Sequence, residues 1–65
     1  MPKYGDIIIF SDAAHLGMGL VRAGVRYRIE EARRRGDLRF VNLDTGGSVD
    51  WFAWSMRQAS WAVAP

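Results

Sequence analysis

The sequence predicts a mainly β domain: five short strands around one aromatic core, a long loop after the first strand, and one short helical turn before the last. Three observations carry this. Residues 25–31 alternate strictly, with Val25, Tyr27 and Ile29 on one face and Arg26, Arg28 and Glu30 on the other; period-two alternation with a charged face marks a half-buried antiparallel strand. The run Asp44-Thr45-Gly46-Gly47 separates two further strand-like stretches as a hairpin turn, its glycines suited to positive φ. Three Trp, three Phe and two Tyr in 65 residues supply the large apolar areas that so short a chain needs in order to fold.

Taken in order, Ile7-Ile8-Ile9-Phe10 is short, largely β-branched and preceded by Gly5-Asp6, as a buried strand is. Residues 11–19, with Asp12, His15 and two glycines, read as the long loop, with room for one helical turn capped by Ser11 or Asp12. Residues 19–22 form its returning arm and Ala23-Gly24 a tight turn. The arginine run 33–35 has helix propensity, but Gly36-Asp37 stops it, so the second main strand ends in a charged loop. Residues 37–43 form the third strand, with Leu38 and Phe40 on one face and Arg39 and Val41 on the other. Residues 48–52 return with Val49 and Trp51 inward and Asp50 outward. Trp54, Arg57, Gln58 and Trp61 have helical spacing, which predicts a short helix or 3₁₀ turn within 53–60. Residues 61–64 close the chain as a last strand. Were 11–20 and 53–62 both helices, the chain would be a small α+β domain instead.

This order, with the stretches GDIIIF, AGVRYRIEE, GDLRFVNLDTGG and the ending W-x-V, resembles the small SH3-like β-barrel proteins of phage and bacterial type. The resemblance spans residues 1–65 and rests on pattern. It implies a five-stranded SH3-like barrel as a single domain and a binding module, for instance a phage- or prophage-encoded modulator or inhibitor of a host protein. The peptide groove of signalling SH3 domains is not implied. Its motifs have no counterpart in IIIFSDAAH, DLRFVNL or SMRQASW.

Composition narrows the function further. There is no cysteine, so disulfides are excluded. His15 is the only histidine and no carboxylate cluster accompanies it, which argues against a structural metal. No apolar run reaches the ~20 residues of a membrane span and the start lacks a signal-peptide pattern, so a cytoplasmic protein is expected. An enzyme is not expected. Ser11, Asp12 and His15 are close in sequence, but catalytic triads are assembled in space from separate segments, and a turn cap beside a solvated loop histidine is the simpler reading. Gly17, Gly19 and Gly24 lack the Lys and Ser/Thr of a phosphate-binding loop. No cofactor is implied.

Two surfaces remain. Phe52 must point away from the core if Trp51 points in. With Trp54, Met56 (or Met18) and Arg57 it predicts an exposed aromatic patch flanked by arginine, suited to a protein partner or to a second copy of the chain. The alternative for Phe52 is packing beneath the long loop, with Trp51 and Trp61 in the core. The second surface is basic. The chain carries a net charge of +2, with Lys3 its one lysine. Arg26, Arg28, Arg33, Arg34, Arg35 and Arg39, if they converge, would suit nucleic acid. Glu30, Glu31, Asp37 and Asp50 are interleaved with them and would neutralise much of that field, leaving a solvated face of cross-strand ion pairs.

Overall fold

The computed structural model describes residues 2–12, 14, 15 and 20–65, with the backbone alone described at 14, 15 and 54. Its main element is one antiparallel sheet of five strands. These are β1 (Ile7–Phe10), β4 (Arg26–Glu31), β5 (Asp37–Asn42), β6 (Ser48–Phe52) and β7 (Trp61–Val63), in the spatial order β6-β5-β4-β1-β7. Two short strands, β2 (Ala14–His15) and β3 (Leu20–Val21), pair antiparallel as a ribbon within the predicted long loop. A 3₁₀ turn, η1 (Ala53–Gln58), links β6 to β7. There is no α-helix among the described residues, so the α+β alternative is set aside. The sheet is open: β6 and β7 are its edges, and no pairing between them closes a barrel.

Alternation determines which side is buried. Ile8, Phe10, Tyr27, Ile29, Leu38, Phe40 and Trp51 all face one side and, with Val21 and Met56, form the core. Phe10 sits at its centre, its ring 5.7–5.8 Å from those of Tyr27, Phe40 and Trp51, and Phe40 meets Trp51 edge-on at 5.3 Å. Such pairs add about 0.5–1.5 kcal/mol each beyond their buried area. The Tyr27 hydroxyl accepts the Arg22 backbone N–H at 2.8 Å, which ties the chain after β3 to the core. Trp61, which the alternative with Phe52 packed beneath the long loop puts in the core, is half-buried against it, and its indole N–H donates to the Met56 carbonyl at 3.0 Å.

The turns follow from particular residues. Asn42 accepts the N–H groups of Asp44 and Thr45 on its side-chain oxygen, and Gly46 takes φ +78°. Of the two glycines in this hairpin only Gly46 has positive φ. The β4–β5 loop ends in the turn Arg34-Arg35-Gly36-Asp37, where the Asp37 N–H donates to the Arg34 carbonyl at 3.2 Å. Gly36 occupies its third position at φ +87°, which a type II turn requires and L side chains resist.

Candidate functional site

Building outward from the β5–β6 ladder gives the site. Asp37 opens β5 and is the register partner of Phe52, which ends β6. The turn just described puts Arg34 back over both. Its Nε donates to Asp37 Oδ2 at 3.1 Å, and its guanidinium carbon lies 4.7 Å from the centre of the Phe52 ring. Phe52 keeps 42% of its surface exposed. The Ala53 N–H donates to the Gly36 carbonyl at 2.9 Å, joining the start of η1 to the same loop. An aromatic ring, an arginine stacked on it and a buried carboxylate holding that arginine thus form one cluster at one end of the sheet. Asp37 is 5% exposed at its side chain, and its Oδ1 has no hydrogen-bond partner among the described residues.

The other residues of the expected patch divide. Arg57 is exposed in the last turn of η1 and lines an open groove with Met56, Ala59 and Trp61. Met56 itself is only 2% exposed and belongs to the core, so its side chain does not contribute to a surface patch. The physical reason is the 3₁₀ period: residues three apart share a face, and Ala53 and Met56 both turn toward the core. The side chain of Trp54, and Met18 altogether, lie outside the described residues, as does the side chain of His15. Ser11 and Asp12 are exposed.

The six arginines of the basic surface fall on two parts of the fold. Arg26, Arg28 and Arg39 lie on the outer face of β4 and β5, while Arg33, Arg34 and Arg35 lie in the loop beyond. At ~3.4 Å per strand residue, Arg26 is roughly 17 Å from the start of that loop. Several of these charges are already paired. Arg28 donates to Glu30 at 2.8 Å. Arg39 grips Asp50 with two bonds, Nε to Oδ1 at 2.8 Å and Nη2 to Oδ2 at 3.1 Å. The register places Glu30, Arg39 and Asp50 in one cross-strand row. The Arg39 hydrogen bond holds the Asp50 carboxyl below its usual range, Arg39's charge and, more weakly, Arg33's adding to it against the opposing effect of burial. The same hydrogen bond raises Arg39.

Alternation with Trp51 made the exposure of Phe52 legible in the sequence. The partnership of Phe52 with Arg34 was not, because it depends on the turn at Gly36 and on the β5–β6 register. No protein-family model, curated protein or solved structure matches the chain. No helix among the described residues is long and apolar enough to cross a membrane.

Proposed function

We propose that this chain is a non-enzymatic protein-binding module of SH3-like build, recognising its partner through the Phe52–Arg34 cluster, with Arg33 and Arg35 beside it. The observation that carries the reading is the stacking of Arg34 on a part-exposed Phe52 at 4.7 Å. Aromatic rings and arginine are the side chains that most often dominate binding energy at interfaces. Here both are held in place before any partner arrives, which lowers the ordering cost of binding. The SH3-like reading is supported by the strand order β6-β5-β4-β1-β7 and by a 3₁₀ turn between the fourth and last strands of that sheet. The phage-type resemblance of the sequence suggests a host protein as the partner.

Nucleic acid is the weaker reading. Arg28 and Arg39 are neutralised by Glu30 and Asp50 on the strand face, so that face offers no continuous positive track for phosphates. The test is comparative capture from a host lysate on immobilised wild type and Phe52→Ala. The reading expects a protein retained by the first and lost from the second, with both domains folded at the temperature of the capture. Equal retention by a folded Phe52→Ala excludes this site. An oligonucleotide that binds with a steep salt dependence would favour the basic surface instead.

A further inference from the structure

Beside the Phe52 cluster, between Tyr4 and the β4–β5 loop, lies a cavity of about 370 Å³. Its walls include Tyr4, Glu31, Asp37 and the three successive arginines Arg33, Arg34 and Arg35. Tyr4 reaches this place because the chain before β1 runs along β4: the Gly5 N–H donates to the Ile29 carbonyl and the Ile29 N–H to the Asp6 carbonyl, both at 2.8 Å. Tyr4 is left 62% exposed, the most exposed of the chain's large apolar side chains among the described residues.

The three arginines are not equivalent. Arg34 is committed to Asp37 and to the Phe52 ring. Arg33 and Arg35 are exposed and form no ion pair among the described residues. Three guanidinium groups against two carboxylates leave the cavity one net positive charge, and Arg34 is already bound to one of those carboxylates through Asp37 Oδ2. What remains is a pair of forked donors, Arg33 and Arg35, beside an exposed phenol ring, against the one carboxylate of Glu31.

We infer that this cavity receives a carboxylate side chain from an acidic segment of the protein partner, held by Arg33 and Arg35 against Tyr4. The inference rests on the protein-binding reading above and names the chemistry of the partner. Arginine matches a carboxylate with two parallel N–H···O bonds, and charge assistance roughly doubles the strength of such bonds. A nucleic-acid strand fits less well, because it needs a run of phosphate contacts and the neighbouring strand-face arginines are paired internally.

The test titrates a fluorescent oligo-glutamate peptide into the intact domain at two salt concentrations, with oligo-lysine and oligothymidylate of equal length as controls. The glutamate peptide should bind, more weakly at high salt, and clearly better than oligothymidylate. The Arg33→Gln/Arg35→Gln double variant should weaken it by about tenfold or more, as expected for losing charge-assisted bonds. Both replaced side chains are exposed, so the variant should melt like wild type. No binding of the glutamate peptide, equal binding by the double variant, or equal or tighter binding of oligothymidylate overturns the inference. Capture that depends on Phe52 while the glutamate peptide fails leaves the protein-binding reading standing and removes only its acidic segment. Glutamate-peptide binding that depends on Arg33 and Arg35 while capture ignores Phe52 removes the Phe52 site and retains the cavity.

Discussion

Asp50 and Arg39 link strand pairing to pH. The Asp50 carboxyl titrates below its usual range because the ion held by Arg39 is favoured in the folded chain. A depressed folded pKa stabilises the fold above the unfolded value, about 3.9 for Asp, and that contribution is lost as pH falls through the folded pKa. Asp50→Asn should therefore be less stable than wild type near neutrality, and the gap should close as melts are repeated at successively lower pH below 4. A gap that stays constant across that range would mean the pair contributes nothing. At Arg34 the expectation is different. Arg34→Ala removes the only hydrogen-bond partner that any oxygen of the Asp37 side chain has among the described residues. Leaving a buried acceptor unmet costs about 1–3 kcal/mol, and urea melts of Arg34→Ala should show a loss of that size. Phe52→Ala gives up a cation–π contact of about 0.5–1 kcal/mol together with the buried part of a ring that is 42% exposed. At this scale the sequence reading went as far as side-chain direction: Phe52 outward from Trp51, Arg39 outward from Phe40. It could not bring Arg34 to Phe52, since those residues meet through a turn conformation and a register, neither of which alternation encodes.

Among the elements, hairpins were the most legible and the long loop the least. Gly36 and Gly46 stand where the backbone needs positive φ, and space for a Cβ is open at both. The cost of replacing them is thus conformational, about 1–2 kcal/mol for an L residue held in the left-handed region. Gly46→Ala should lower stability by that amount with no effect on binding. Gly36→Ala should lower stability similarly and also loosen Arg34 over Phe52, which a weaker partner affinity would report. Gly47, with ordinary φ, should accept alanine at little cost. The ribbon of β2 and β3 was invisible in the sequence because strands of two residues are too short to display alternation. The turn expected within 53–60 is present as the 3₁₀ segment η1. The sequence reading puts Met56 with Trp54 and Arg57 in the exposed patch, whereas three residues per turn groups it with Ala53 on the core. Met56→Ala should cost about 2–5 kcal/mol, as truncation of a buried side chain does.

At the scale of the whole molecule, the core explains how so short a chain folds without disulfides. Four strands each contribute at least one aromatic ring to a cluster around Phe10, and η1 and β3 complete it with Met56 and Val21. On the proposed reading, the same arrangement separates the residues that fold the domain from those that would contact a partner. Phe10, Phe40 and Trp51 are turned inward, while Phe52, one residue beyond Trp51, is turned out beneath an arginine. Changes to the first group should unfold the domain, and Phe52→Ala should leave it folded while weakening the proposed partner binding. The most direct measurement is the affinity of a partner captured on the wild-type domain for Phe52→Ala, made beside thermal melts of both proteins. The expected result is a Phe52→Ala domain that still folds, melting several degrees lower, with an affinity lower by about tenfold or more, the loss expected from a residue at the centre of an interface. An unchanged affinity in a folded Phe52→Ala domain would contradict it.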